Sequence, residues 1–261
     1  MLRALIFDVD GTLADTEELH RQAFNGAFLE MGLGWEWSRS HYKKLLEVSG
    51  GKERIAEFIG SLRVGEIERR AMTECIPMIH QTKTRIYKER AEEGRLLFRP
   101  GVMRLLNEAR AAGLRLGLAT TTTLDNVRVL IDSAWGRGRL GWFDAVGAGD
   151  LVEKKKPAPD IYQLVLSTLR VQPEECVAFE DSVNGLKAAR AAGLVTVVTP
   201  TQWNSDHDFD GANLLLPHLG DELNPLDESL STSIGARALG LTQIETLLSG
   251  GAAHGLNGFT P

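Results

Sequence analysis

Asp8 and Asp10 stand two residues apart in "DVDGT", directly after the apolar run Leu2 to Phe7. Glu180 and Asp181 follow a second apolar run, "ECVAF". Two further runs end in residues that complement these acids. Thr120, Thr121 and Thr122 close "LRLGLAT", and Lys154 to Lys156 follow "WFDAVGAG". Acids packed together repel unless a cation holds them, and an all-oxygen donor set suits Mg²⁺. Hydroxyls, backbone N–H groups and one lysine suit a phosphoryl group. Together they spell phosphoryl transfer through an aspartate, with metal and lysine offsetting anionic charge. Singly, an Asp-Gly is a turn and a triple lysine a solvated face. The weight lies in complementary groups at four successive chain positions of one kind.

Those positions are strand ends. Residues 2–7, 114–120, 142–149, 175–181, 194–199 and 212–217 read as strands. Residues 101–113, 123–134, 158–170 and 182–193 read as helices between them. Apolar strands alternating with helices predict an α/β fold, a Rossmann-like parallel sheet covered on both faces, with ligands beyond the carboxyl ends of its strands. Residues 16–32, 40–50, 52–62 and 66–94 all carry helical periods, with Pro77 expected to kink or divide the last. That block is inserted after the first strand. The expected division is a core of residues 1–15 and 96–225, a helical cap of 16–95, and a C-terminal part of 226–261. The C-terminal part reads as a Ser-rich linker, one short helix with a capping box of Thr242 and Glu245, and a frayed end over 252–261.

Composition narrows the function classes. The 261 residues carry a formal net charge of −6, which argues against nucleic acid or a membrane surface as the main partner. Phosphate chemistry must then depend on a few placed cations. Cys75 and Cys176 lie far apart without metal-ligand spacing and read as free thiols. "MLRALIFD" reaches an aspartate too soon for a signal peptide, and no run approaches 18 apolar residues, so a cytoplasmic protein is expected. A monomer or weak dimer is expected.

"DVDGT", "LATT", "KKKPAPD" and "EDSVNG", in this order, resemble the four motifs of the haloacid dehalogenase superfamily of phosphatases and phosphomutases. The resemblance covers residues 1 to about 220, and the insertion resembles the small α-helical cap of β-phosphoglucomutase-like members. It implies Asp8 as nucleophile, becoming an aspartyl-phosphate. Asp10 would protonate the leaving oxygen and then activate water, with its backbone carbonyl on the metal. Asp181 would complete the Mg²⁺ shell, with Glu180 a ligand or an acceptor behind one. Thr120 and the N–H of Thr121 would hold the phosphoryl group, and Lys156 would neutralise phosphate and Asp8. Lys154 and Lys155 are left to the surface.

The cap should set specificity, since it closes over the site and meets the unreactive part of the substrate. Thr16 sits at an expected hinge. Glu17 and His20 share a face of the first cap helix, Glu17 suited to sugar hydroxyls and His20 to Asp10 or a hydroxyl. Tyr42 can donate to the same ligand. "VSGGKERI" has the wrong spacing for a P-loop. Between two cap helices, however, Ser49 can cap the second, and Gly50 and Gly51 allow close approach. Lys52 and Arg54 place cations where the helix dipole disfavours them, as a site for an anion would. With "DTEELHRQAFN", this loop resembles the CbbY-like branch, which dephosphorylates xylulose-1,5-bisphosphate, an inhibitor of Rubisco. The expected function is a Mg²⁺-dependent sugar-bisphosphate phosphatase. A phosphosugar mutase is the alternative, and an inactive binding domain ranks last.

Overall fold

The computed structural model describes residues 1–94 and 96–250. The expected fraying over 252–261 lies outside the described residues. Strand β1 (Ala4–Phe7) is followed by five helices, α1 (Glu17–Glu30), α2 (Arg39–Leu45), α3 (Gly51–Ser61), α4 (Glu66–Glu74) and α5 (Ile76–Glu93). Then come α6 (Val102–Ala111), β2 (Arg115–Ala119), α7 (Leu124–Ala134), β3 (Ala145–Gly147), α8 (Asp160–Leu169) and β4 (Cys176–Glu180). The chain continues through α9 (Val183–Ala191), β5 (Val195–Val198) and a two-residue β6 (Leu214–Leu215) to α10 (Glu228–Ile234) and α11 (Leu241–Leu248). Pro77 lies in the first turn of α5, where its missing N–H has no intrahelical partner to lose, so the break with α4 falls at Cys75.

The six strands form one parallel sheet in the order β3-β2-β1-β4-β5-β6. The order reverses at β1, so the carboxyl end of β1 opens into the crevice where such sheets bind ligands. Alternation along β1 serves both faces. Leu5 and Phe7 pack in one layer with residues of α6 and α7, while Ala4 and Ile6 pack in the other with residues of α8 and α9. Register then places the chemistry. Phe7 pairs with Phe179 on β4, their rings stacked at 4.4 Å, so the next residues, Asp8 and Glu180, emerge side by side.

The inserted helices carry their own aromatic core, with Phe24, Phe28, Trp37, Tyr42 and Phe58 among its buried members.

The C-terminal part differs from expectation in two ways. The Ser-rich stretch read as a linker is helix α10, capped by Asp227, whose Oδ1 accepts the Leu230 N–H at 2.8 Å. Leu230 and Ile234 sit one turn apart on its inner side, too sparse an apolar signal to stand out among serines. The capping box of Thr242 and Glu245 does not form either. The N-cap lies two residues earlier, at Gly240, with Gln243 Oε1 accepting the Gly240 N–H at 3.2 Å and Glu108 Oε1 of α6 accepting the Leu241 N–H at 3.0 Å. A carboxylate from another helix thus holds this N-terminus, where the helix dipole favours it. Leu226, Leu230, Leu239 and Ile244 are all buried in the main core.

Ile244→Ala is therefore expected to lower unfolding free energy by ~2–5 kcal/mol, as deletion of a buried aliphatic does. Urea denaturation of the full chain measures it; an unshifted midpoint would mean that α11 contributes nothing to the core.

Candidate active site

The carboxyl ends of β1 and β4 bring Asp8, Glu180 and Asp181 together, with one oxygen of each within 4.8 Å of the others. Lys156 reaches in from the segment after β3, its Nζ 2.7 Å from Asp8 Oδ1 and 2.5 Å from Glu180 Oε1. Tyr162 on α8 donates its hydroxyl to the same Glu180 oxygen at 2.5 Å. All four charged groups are buried, Glu180 completely. Three carboxylates against one ammonium leave an excess of negative charge out of water, which is expensive. Burial pushes the Asp8 carboxyl up to about 8, with Glu180 adding repulsion against the opposing pull of Lys156. Burial, with Asp8 and Glu180 beside it, also pushes Asp181 well up. Glu180 Oε2 is buried without a hydrogen-bond partner. An all-oxygen cluster short of positive charge, with an orphaned carboxylate oxygen, fits a hard divalent cation.

Asp10 lies on the turn after β1 and looks elsewhere. Its Oδ1 accepts from Thr16 Oγ1 at 2.5 Å and meets His20 Nε2 at 3.0 Å. Lys83 of α5 donates to His20 Nδ1 at 2.6 Å, so Nε2 carries the proton given to Asp10. The His20 ring stacks on Tyr87 at 4.2 Å. Burial alone would raise the Asp10 carboxyl, but His20, Thr16 and Lys83 together hold it well below the usual carboxylate range. Its carboxylate is thus apart from the acid triad.

Both groups open into a cavity of about 860 Å³ between the sheet end and the inserted helices. Of the residues singled out in the sequence, Glu17, His20, Ser49, Gly50, Gly51, Lys52, Arg54, Thr120 and Thr121 line it. Thr120 is buried, and its Oγ1 accepts the Thr122 N–H at 3.2 Å.

Three expectations for the cap change. Tyr42 is fully buried in the aromatic core and donates its hydroxyl to Glu17 Oε2 at 2.8 Å, so it reaches the cavity only through Glu17. Ser49 does not cap α3. Gly50 occupies the N-cap with φ of 96°, a conformation that L side chains rarely adopt, and Ser49 Oγ accepts from Asn184 Nδ2 of α9 at 3.1 Å. Arg54 spends donors on the Leu45 and Val48 carbonyls at 3.1 and 3.3 Å and on the Tyr42 hydroxyl at 3.0 Å. Lys155, left to the surface by its place in a lysine run, is half-buried and bridges to Glu53 of α3 at 2.8 Å. Lys83, Asn126 and Asn184 also line the cavity without a sequence signal to mark them.

Residues 2–193 match the haloacid dehalogenase-like hydrolase family, and the chain belongs to it. It is an enzyme, a phosphatase of that family. It is 48% identical over 227 residues, 87% of this chain and 89% of the relative, to the plasmid-borne CbbY protein of Cupriavidus necator. A crystal structure of a CbbY mutant from Rhodobacter sphaeroides in complex with xylulose-1,5-bisphosphate matches with a TM-score of 0.78 and 45% identity. That match covers 84% of this chain and 95% of the other. A β-phosphoglucomutase from Clostridium difficile, at 24% identity and a TM-score of 0.63, shares the fold over 83% of this chain and 91% of its own.

Burial pushes the Lys83 ammonium from 10.5 down to about 7. Between those values the unfolded chain binds more protons than the folded one, so this group makes stability rise with pH across that window. Against Lys83→Met, wild type should gain up to ~1.4 kcal/mol per pH unit above 7. Unfolding curves at pH 7 and 9.5 check this, and parallel profiles would refute it.

Proposed function

We propose that the chain is a Mg²⁺-dependent phosphatase that hydrolyses a sugar bisphosphate, of which xylulose-1,5-bisphosphate is the favoured candidate, through an aspartyl-phosphate on Asp8. The observation that carries this reading is the opposite setting of two aspartates two residues apart. Asp8 lies against Lys156 and two further acids, while Asp10 is held ionised by His20 and Thr16. Asp8, Asp181 and Glu180, with the Asp10 backbone carbonyl, would hold Mg²⁺, which would neutralise the acids and withdraw charge from the phosphoryl oxygens.

An Asp8 carboxylate oxygen attacks phosphorus, the bond from phosphorus to the sugar oxygen breaks, and that oxygen takes a proton from Asp10. Asp10 must carry a proton for this half: moved off Thr16 and His20 by substrate, it would take one from solvent or retain the one gained from water in the preceding turnover. In the second half Asp10, again ionised, takes a proton from water as the water oxygen attacks phosphorus. Phosphate leaves and Asp8 is restored. Lys156, buried and held charged by its acid neighbours against the opposing effect of burial, spreads positive charge over Asp8 and the transferring group. Thr120 and the Thr121 N–H orient that group.

We assign the distal phosphate to Lys52 and the start of α3, because Gly50, Gly51 and Lys52 line the same cavity at a helix N-terminus. Support for a bisphosphate comes from this second cationic end and from the ligand in the CbbY crystal structure. Glu17, fixed by Tyr42, suits the hydroxyls between the two phosphates. A cytosolic setting is part of the same reading.

Asp8→Asn is expected to abolish phosphate release from every ester. Lys52→Ala should raise KM for sugar bisphosphates about tenfold and change monophosphates less than about threefold, because it removes charge remote from the reacting phosphorus. Steady-state phosphate release over a panel of mono- and bisphosphates measures both. Equal losses on the two classes would remove the distal-phosphate assignment, and an isomerised monophosphate without free phosphate would make the enzyme a mutase.

A further inference from the structure

The segment after β5 joins the two halves of the site through consecutive residues. Asn204 donates Nδ2 to the Asp181 backbone oxygen at 2.9 Å and to Asp181 Oδ2 at 3.0 Å. Its own Oδ1 accepts the Thr201 N–H at 2.8 Å, so the amide can only present its NH₂ to Asp181. The next residue back, Trp203, belongs to the sheet-bearing half by sequence but is buried in the aromatic core of the inserted helices. Its ring meets Tyr42 edge-on at 5.7 Å, and the Arg39 guanidinium covers it at 5.0 Å. Tyr42 in turn holds Glu17. Trp203 N–H donates to Thr201 Oγ1 at 3.2 Å, and Asn204 N–H to the Thr201 carbonyl at 3.2 Å. One tight turn therefore fixes both side chains. At its base, Arg99 donates to the Thr199 and Pro200 carbonyls and to the Gly11 carbonyl in the turn after β1.

We propose that Trp203 and Asn204 couple the seating of the inserted helices to the geometry of the acid triad. Trp203 docks the helices, and Asn204 is a positioning residue that holds Asp181. When Trp203 leaves the aromatic core, the turn that aims the Asn204 amide shifts with it, and Asp181 loses its orientation. Seated helices and a well-formed cation site then favour each other, as linkage requires of any coupled pair. The coupling rests on the assignment of Asp8, Glu180 and Asp181 as the Mg²⁺ site.

The test is Mg²⁺ affinity of the full chain, titrated calorimetrically with magnesium chloride, with thermal unfolding to confirm that each variant is folded. Asn204→Ala should weaken Mg²⁺ binding about tenfold, as expected for a side chain that directly holds a ligand of the ion. Trp203→Ala touches no acid, yet should weaken it about fivefold or more. Trp203→Phe, which keeps an aromatic edge on Tyr42, should return to within about twofold of wild type. Trp203→Leu, which keeps apolar bulk without the ring, provides the same comparison should the alanine variant fail to fold; about a threefold loss is expected. The double variant Trp203→Ala/Asn204→Ala should be little worse than Asn204→Ala, because the two act in series. A folded Trp203→Ala or Trp203→Leu protein that binds Mg²⁺ like wild type, or losses that simply add, would overturn the coupling alone. Wild type that binds no Mg²⁺ would overturn the cation assignment and the coupling with it.

Discussion

The structure depends on holding three carboxylates and one ammonium out of water at the end of a parallel sheet. Buried ions are tolerated only when paired and hydrogen-bonded, and removing one partner leaves a charge with nothing to answer it. Much of the surrounding design answers that demand. The pairing of Phe7 with Phe179 brings Asp8 and Glu180 out together. Lys156 spans both, Tyr162 supports Glu180, and Asn204 supports Asp181. These supports come from three separate chain segments, so the triad is formed only when the whole sheet and its flanking segments are in place.

Two residues from Asp8, the electrostatics reverse. Asp10 shares its turn with Asp8 but is turned toward Thr16 and His20, with Lys83 behind them. Asp8 and Asp181 are pushed up by burial and then by neighbours of like charge, whereas Asp10, equally buried, is pulled down by donors from the inserted helices. The separation of roles between the aspartates thus needs both halves of the molecule: the sheet sets the state of one, and α1 and α5 set the state of the other. In the proposed acid–base role, Asp10 would be sensitive to how the inserted helices sit, because α1 and α5 supply its partners.

The chemistry at the strand ends was legible in the sequence because it is local. Apolar runs mark the strands, and the polar residues that follow each run must emerge at the same edge of a parallel sheet. Side-chain direction in the inserted helices was not legible. Tyr42, Ser49 and Arg54 were singled out by type, but each is claimed by a partner far away in sequence or by a nearby carbonyl. Lys83, Trp203 and Asn204 carry no motif, and only packing brings them to His20, Tyr42 and Asp181. The C-terminal helices give a weak sequence signal for a related reason. Their few apolar residues matter because α6 accepts them, with Arg104 donating to the Leu239 carbonyl at 2.6 Å and Glu108 capping α11.

The "VSGGKERI" loop illustrates how packing resolves a conflict that sequence exposes. Lys52 and Arg54 at a helix N-terminus oppose the dipole of α3. Arg54 escapes the conflict by turning back to the Leu45 and Val48 carbonyls, at the C-terminal end of α2, where a cation is favoured. Glu53, in the first turn of α3, suits the dipole and also anchors Lys155 beside the catalytic edge. Lys52 lines the cavity wall beside two glycines, at which a Cβ would meet Glu53 and His80. With Arg54 turned toward carbonyls, the proposed anion site rests on Lys52 and the start of α3, narrower than two cations suggest. On the proposed function, selectivity for a second phosphate would rest on the distance from Lys52 to Asp8, which the seating of the inserted helices on the sheet sets.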